Sequence, residues 1–208
     1  MTLTPQNAAA PRTSSTGPTD AVSVRWPRLW REHLQAHPVQ TLIVDVDGVL
    51  TDGRIWISAE GESLKSFSVL DGQGLKLLQQ AGVDVVVITG RDSAAVRRRV
   101  QDLGLAHAFY GVSDKWACAR TWLEARGRGA DTLAVIGDDW PDLPLIQRAA
   151  IACAPANAHE DILGAVHWVT RRAGGEGGVR ELCDALLWAR GAYNTQRHAD
   201  CQPTLDAR

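Results

Sequence analysis

The sequence predicts an α/β fold with three layers, in which a parallel central sheet lies between two layers of helices. Short apolar runs rich in β-branched residues alternate with amphipathic segments along most of the chain, which is typical of strand–helix–strand units. Polar clusters follow these apolar runs directly, at the end of a parallel sheet where ligands bind. We therefore expect one functional cleft at that edge of the sheet.

The predicted domain covers residues 39–191, and its one insertion is a small β-hairpin at about 54–68 in place of a large cap domain. Residues 1–38 are predicted to be an extension that is disordered or partly helical. We expect disorder over about 1–22, where polar residues and proline dominate. Residues 192–208 are predicted to be a flexible tail, because the sequence there turns polar.

Composition limits the possible partners. A chain of 208 residues with 45% hydrophobic content can form one core, and its formal net charge of −2 without a long run of one sign predicts no nucleic-acid partner. Four scattered cysteines without a CxxC pair argue against structural zinc and fit a reducing cytoplasm. Because no apolar run reaches the length of a membrane span, we expect a soluble, cytoplasmic protein without a membrane partner.

A short helix is predicted before the domain, because Trp26, Trp30 and Leu34 share one helical face. His33 and His37 also have helical spacing and resemble a metal-binding pair. Without a third ligand nearby, a solvated face is the better interpretation.

The first core strand begins near Leu42 and ends at Asp45 and Asp47, after which Gly48 lets the backbone turn. Aspartate and glycine are also ordinary turn residues. However, two unpaired carboxylates beside a buried strand are costly without a cation, which favours a functional interpretation.

Two alternating segments, 54–58 and 62–68, flank Ala59-Glu60-Gly61 and predict the hairpin directly after the two aspartates. It is placed to cover the cleft or to form a surface between subunits. Since an isolated two-stranded hairpin is marginal in water, pairing with other subunits is favoured.

The remaining elements follow in alternation. Helices are predicted at 74–80, 93–103, about 115–126 and 179–189, and strands at 83–88, 108–110, 133–136, 150–153 and 167–169.

Four strand ends are predicted to converge on one cleft, and they carry Asp45 with Asp47, Thr89, Lys115, and Asp138 with Asp139. Carboxylate oxygens without cysteine or histidine favour Mg²⁺. A hydroxyl, a backbone N–H and an ammonium suit phosphate oxygens. Together they predict phosphoryl transfer, with one carboxylate attacking phosphorus and the other moving protons.

Each part also has a simpler explanation. Thr89 and Gly90 are compatible with a plain strand end, and Lys115 with a surface lysine near a helix start. The pair at 138–139 is compatible with a helix cap before Pro141. The conjunction of all the parts at strand ends favours the functional interpretation.

The motifs resemble those of the haloacid dehalogenase superfamily phosphatases. Within it, the chain is similar to the branch that hydrolyses 3-deoxy-D-manno-octulosonate 8-phosphate, an eight-carbon sugar acid phosphate of lipopolysaccharide biosynthesis. The resemblance covers about residues 41–191, and its motifs are residues 45–53, 89–91, 115 and 137–142, with the branch features at 67–74 and 172–181.

The resemblance implies a role for each matching residue. Asp45 is expected to be the nucleophile and a Mg²⁺ ligand, and Asp47 the general acid and base that also offers its backbone carbonyl to the metal. Thr89 is expected to hold a phosphate oxygen, Lys115 to stabilise the aspartyl phosphate, and Asp138 to complete the metal site. Two further residues are expected to hold waters or Lys115: Asp139 and Asp142.

The resemblance also implies substrate contacts and a homotetramer whose hairpins form a central barrel. Arg91 suits the substrate carboxylate, because its guanidinium matches a carboxylate fork, although a solvent-facing arginine remains an alternative. The glycine-rich segment is expected to fold over the site as a mobile lid or to be a plain linker. The expected sugar-binding residues are Gly53, Lys65, Asp71, Gly72, Gly90, Arg91 and Arg172.

Three other functions stay open. A phosphatase for a nine-carbon sialic-type sugar acid phosphate is the nearest alternative, and Leu70, where relatives often have a polar residue, leaves substrate selection open. A phosphoacceptor signalling domain uses a similar set of residues, but its acceptor lies on a middle strand apart from the acidic pair. A non-catalytic oligomerisation module would have no need of the intact acidic residues.

Overall fold

The computed structural model describes residues 26–201, apart from the side chains of Ser63 and of residues 198–201. The strands are β1 (Thr41–Val44), β2 (Trp56–Ser58), β3 (Gly61–Leu64), β4 (Asp84–Ile88), β5 (His107–Phe109), β6 (Leu133–Ile136), β7 (Ile151–Ala154) and β8 (Trp168–Val169). The α-helices are α1 (Arg28–Ala36), α2 (Val69–Gln80), α3 (Ala94–Asp102), α4 (Lys115–Glu124), α5 (Leu143–Ile146), α6 (Glu160–Leu163), α7 (Gly178–Ala189) and α8 (Tyr193–Cys201). Short 3₁₀ helices cover Ala130–Thr132 and Trp140–Asp142.

Six strands form one parallel sheet in the order β5-β4-β1-β6-β7-β8. β1 is therefore central, and all four of its residues are buried. Successive side chains of β1 enter different cores, since Leu42 and Val44 pack in one apolar cluster and Ile43 in the other. The three-layer α/β fold predicted from the sequence is confirmed.

The hairpin forms a separate two-stranded antiparallel sheet of β2 and β3, in which Trp56 pairs with Leu64. It is shorter than predicted, and no separate cap domain is present in the described residues. Its apolar side chains are exposed, including Trp56 at 54% and Ile57 at 75%.

The helix after the hairpin begins at Val69 rather than at Gly74, because the Ser68 hydroxyl accepts a hydrogen bond from the Leu70 N–H at 3.2 Å and caps it. In the sequence, Gly72 and Gly74 suggest an interruption of the helix. In the structure, they let α2 pack closely against side chains of neighbouring helices. A Cβ at position 74 would lie 3.0 Å from the Cβ of Cys183 on α7.

The structure describes only part of the two predicted terminal segments. Residues 193–201, predicted to belong to the flexible tail, form α8 instead, and Tyr193 packs against the main core. The predicted disordered leader at 1–22 and the tail end at 202–208 lie outside the described residues. No helix in the described range is long and apolar enough to cross a membrane.

Helix α1 packs onto the domain through Trp30 and Leu34, as predicted, whereas Trp26 is buried just before the helix begins. The prediction of a solvated histidine face is wrong for His33, whose Nε2 lies 2.9 Å from the Ala150 carbonyl oxygen.

Candidate active site

A cleft of about 340 Å³ opens at the carboxyl edge of the central sheet. It contains all four of the predicted strand ends, because the parallel strands all end on this side. The lining residues are Asp45, Asp47, Gly53, Thr89, Gly90, Arg91, Lys115, Asp138, Asp139, Pro141 and Asp142.

Asp45 lies at the floor of this cleft, directly after β1, and is only 7% exposed. Lys115, the first residue of α4, places its Nζ 2.7 Å from Asp45 Oδ1 and 2.7 Å from Asp142 Oδ1. The lysine is itself 4% exposed. A buried ammonium shared by two buried carboxylates offsets part of the cost of burying all three charges.

Asp138 approaches the same point from the end of β6. One carboxylate oxygen from each of Asp45, Asp138 and Asp142 lies within 4.8 Å of the other two. Room for Asp138 exists because residue 48 is a glycine with φ +88°, and a Cβ there would overlap the Asp138 carboxylate. Hard oxygen donors at this spacing fit Mg²⁺.

The raised pKa values of the clustered carboxylates also favour a bound cation. Burial, followed by the charge of Asp142, raises the pKa of Asp45 to about 7 against the opposing attraction of Lys115. Burial together with Asp45 and Asp142 raises the pKa of Asp138 to about 8. Burial alone would lower the pKa of Lys115, but the neighbouring carboxylates outweigh it and raise that pKa. A divalent cation relieves this repulsion between carboxylates.

The second aspartate of the first motif is held by the hairpin. Asp47 Oδ1 accepts a short hydrogen bond from Lys65, whose side chain is fully buried, and Arg91 Nε lies 3.8 Å from Asp47 Oδ2. Glu62 lies 3.4 Å from both Lys65 and Arg91 and accepts a hydrogen bond from Ser93. The hairpin is thus tied to the site by ionic contacts.

Glu62 and Ser93 did not emerge from the sequence. Glu62 occupies an ordinary polar position of an alternating strand, and two of its partners, Arg91 and Ser93, lie 29 and 31 positions further along the chain. No local pattern indicates such a contact.

The end of β4 contributes an uncharged hydrogen-bonding group, the Thr89 hydroxyl. Thr89 is 2% exposed at the end of β4, and its hydroxyl accepts a hydrogen bond from the Arg91 N–H at 3.3 Å.

Asp139 has a structural contact, since its Oδ1 accepts a hydrogen bond from the Trp140 N–H at 2.8 Å.

Four residues predicted to bind the sugar do not line this cleft: Lys65, which contacts Asp47, and the three residues Asp71, Gly72 and Arg172. Asp71 is 1% exposed, and its carboxylate accepts hydrogen bonds from the N–H groups of Gly177 and Arg180 at 3.2 and 2.8 Å. It therefore caps α7. Gly72 packs against Arg99, and the Arg172 guanidinium donates to the Glu176 carbonyl at 3.4 Å. Nothing in the described part of one chain supports sugar binding by these three residues.

Comparison with known protein sequences finds relatives that share one described activity. The chain is 40% identical over 157 residues to the 3-deoxy-D-manno-octulosonate 8-phosphate phosphatase KdsC of Escherichia coli, which covers 76% of this chain and 84% of that protein. No protein-family profile matches the chain.

Solved structures agree in fold. A structure from Legionella pneumophila, described as a HAD superfamily subfamily III A hydrolase, has a TM-score of 0.79 and 41% identity, with 84% of this chain and 97% of that chain covered. The 3-deoxy-D-manno-octulosonate 8-phosphate phosphatase of Moraxella catarrhalis, in complex with magnesium, phosphate and KDO, has a TM-score of 0.77 and 35% identity, with 82% and 97% covered. By sequence and by structure, the chain belongs to the 3-deoxy-D-manno-octulosonate 8-phosphate phosphatase family of the haloacid dehalogenase superfamily.

Proposed function

We propose that this chain is a Mg²⁺-dependent phosphatase that hydrolyses 3-deoxy-D-manno-octulosonate 8-phosphate to the free sugar acid and phosphate, a step of lipopolysaccharide precursor synthesis. The observation that carries the proposal is the contact of 2.7 Å between Lys115 Nζ and Asp45 Oδ1, with the Asp138 carboxylate facing the same point. A carboxylate, an ammonium and a cation site at one strand end are the parts that phosphoryl transfer requires.

In the first step, an Asp45 oxygen attacks phosphorus, and the bond between phosphorus and the sugar oxygen breaks. Asp45 becomes an aspartyl phosphate, and the departing alkoxide takes a proton from Asp47. In the second step, water attacks phosphorus and gives a proton to Asp47, while the bond between phosphorus and the Asp45 oxygen breaks. Phosphate leaves, and the Asp45 carboxylate is restored. Lys65 holds Asp47 at the edge of the cleft for both proton transfers.

The charge on the phosphoryl oxygens is met by residues that are already in place. Lys115 is buried beside Asp45, and Thr89 lines the cleft. Bound Mg²⁺, held by Asp45, Asp138 and the backbone carbonyl of Asp47, would supply further positive charge for the phosphate. Fixed donors of this kind stabilise charge in the transition state without reorganisation.

Arg91 is the best-placed residue for the sugar acid. It lines the cleft, is 49% exposed, and lies 3.8 Å from Asp47. The substrate carries a carboxylate far from its phosphate, and a guanidinium fork matches that group. Gly53 and Gly90 line the same cleft and leave room for the sugar.

The proposal includes a homotetramer in which the hairpins meet. Ile55, Trp56, Ile57 and Leu64 are all exposed, between 38% and 75%, on the two-stranded sheet and the residue before it. Such an apolar surface on a marginal element is typical of a subunit contact.

The direct test is phosphate release from 3-deoxy-D-manno-octulosonate 8-phosphate with and without Mg²⁺. The nine-carbon sialic-type analogue and simple sugar phosphates serve as comparison substrates. We expect fast, metal-dependent release from the eight-carbon substrate alone. Equal and slow release from all substrates would contradict the assignment of the substrate, and faster release from the nine-carbon compound would favour that alternative.

A further inference from the structure

The glycine-rich segment at residues 172–178, here called the glycine strap, packs directly on the loop that carries the predicted nucleophile. The Gly175 N–H donates a hydrogen bond to the Val49 carbonyl at 3.0 Å. A Cβ at position 174 would overlap the Gly48 carbonyl and lie 2.8 Å from the Thr51 carbonyl oxygen. The strap is therefore in close contact with this loop.

The loop beneath the strap is itself well ordered by hydrogen bonds. The Thr51 hydroxyl accepts hydrogen bonds from the N–H groups of Gly48 and Gly53 at 3.3 and 3.2 Å. Thr51 is 1% exposed. Displacement of the strap at Gly174 thus acts on a compact loop whose first residues are Asp45 and Asp47.

Asn157 holds the strap through a hydrogen bond from its side chain. Its side-chain oxygen accepts a hydrogen bond from the Gly174 N–H at 2.8 Å, and the neighbouring Ala156 N–H donates to the Arg172 carbonyl at 3.2 Å. Both anchors lie in the segment after β7.

The same segment also contacts the metal side of the cleft. The His159 N–H donates to the Asp138 carbonyl at 2.9 Å. Asp138 in turn faces Gly48 so closely that only glycine fits there. Asn157 therefore lies in a short segment that contacts both the strap and Asp138, the two neighbours of the loop that bears Asp45.

From these contacts we infer that Asn157 is a positioning residue for phosphoryl transfer, an inference that rests on the function proposed above. Its side-chain oxygen fixes Gly174 on the Gly48 carbonyl and so keeps Asp47 and Asp138 at their places around Asp45. Asn157 does not line the cleft, so it acts through the strap and not on the substrate.

The inference depends on one hydrogen-bond acceptor, the side-chain oxygen of Asn157. It therefore predicts different effects for two substitutions of this residue. Asn157→Ala removes the acceptor and leaves a part-buried N–H of Gly174 without its partner. Asn157→Asp keeps an acceptor oxygen at the same reach. Loss of a group that orients metal ligands typically lowers activity by about 10- to 100-fold, and misplacement of the reacting groups has a similar effect.

The experiment compares kcat, KM and amide hydrogen exchange for the full-length wild type, Asn157→Ala, Asn157→Asp and the remote control Asn194→Ala in α8. For Asn157→Ala we expect kcat to fall about 10-fold or more with little change in KM, while Tm falls by only about 2–4 °C. The amides of Gly174 and Gly175 should exchange faster in this variant. Asn157→Asp and Asn194→Ala should retain wild-type kcat and exchange.

A wild-type kcat for Asn157→Ala, or an equal loss for Asn157→Asp, would overturn the inference. If the wild type releases no phosphate, the proposed function fails, and the exchange data still decide whether Asn157 fixes the strap. Unchanged exchange at Gly174 and Gly175 in Asn157→Ala overturns the inference in either case.

Discussion

At the scale of single residues, the site depends on charges that are buried together. Asp45 is held after the central strand with almost no access to water, and its ammonium partner Lys115 comes from the start of α4. Removing one member of a buried pair leaves the other uncompensated, so these positions tolerate little change.

The first prediction concerns the nucleophile. Asp45→Asn should lower turnover by about 1,000-fold or more, because the amide neither attacks phosphorus nor carries the charge that binds the cation. The fold should persist, since Lys115 keeps Asp142 as its partner and the substitution relieves repulsion among the three carboxylates. Steady-state phosphate release and circular dichroism are the measurements. Asp131→Asn, an exposed aspartate at the opposite end of β6, is the matched control, and appreciable turnover by Asp45→Asn would remove it as nucleophile.

The second prediction concerns pH and magnesium. Asp45 and Asp138 have pKa values of about 7 and about 8 in the metal-free fold, above those of an unfolded chain. Their protonated forms contribute stability below about pH 4, and that contribution is lost as pH rises through about 7 to 8.

Magnesium binds the deprotonated carboxylates, so its effect should grow in the same range. The rise in Tm on adding Mg²⁺ should be larger at about pH 8.5 than at about pH 6. Thermal unfolding at both pH values, with and without Mg²⁺, measures it. An equal rise at both pH values would show that proton release does not accompany metal binding.

At the scale of elements, the hairpin contributes chemistry as well as a surface. Lys65 extends from the end of β3 to Asp47 and is fully buried on the way, so the position of the hairpin and the position of Asp47 are coupled. The sequence predicted a sugar-binding role for Lys65. The contact with Asp47 indicates a second role, the positioning of Asp47. Measurements of kcat and KM distinguish the two roles.

The third prediction tests this contact. Lys65→Met keeps the length of the side chain but removes the ammonium, so Asp47 and Glu62 lose one of their two shared cations and keep only Arg91. We expect kcat to fall about 10-fold or more with KM little changed, because proton transfer depends on the placement of Asp47. Lys76→Met, at an exposed position of α2, is the control. A rise in KM with unchanged kcat would instead favour the sugar-binding role.

At the scale of the whole molecule, neighbouring stretches of the chain form the active-site cleft and the exposed apolar surface of the hairpin. The hairpin follows the nucleophile loop directly, so its apolar surface begins where the site ends. Assembly through the hairpins would bring parts of other subunits near the cleft, which a single chain leaves open to solvent.

The fourth prediction concerns assembly. The wild type should have about four times the chain mass of 22.5 kDa in light scattering, and Ile57→Lys should reduce the mass, because it places a charge in the proposed contact. Leu29→Lys, at an exposed leucine of α1, should leave the mass unchanged. A monomeric wild type, or an unchanged mass for Ile57→Lys, would contradict hairpin-mediated assembly.

Much of the fold could be predicted from the sequence, because buried parallel strands are apolar runs that periodicity detects. β6 was predicted at its observed bounds, and most other core strands within one or two residues. The start of α2 was missed because two glycines obscured a helix that Ser68 caps, and α8 was missed because a polar segment gave little periodic signal.

The sequence by itself determined which chemistry gathers in the cleft, since strand ends of a parallel sheet share one edge and their polar residues follow apolar runs. Only the tertiary structure decided which partner each residue meets. Asp71 caps α7 across a separation of 106 residues, and Lys65 reaches Asp47 across 18. Such contacts depend on how distant elements pack, and no local pattern of residue types encodes that packing.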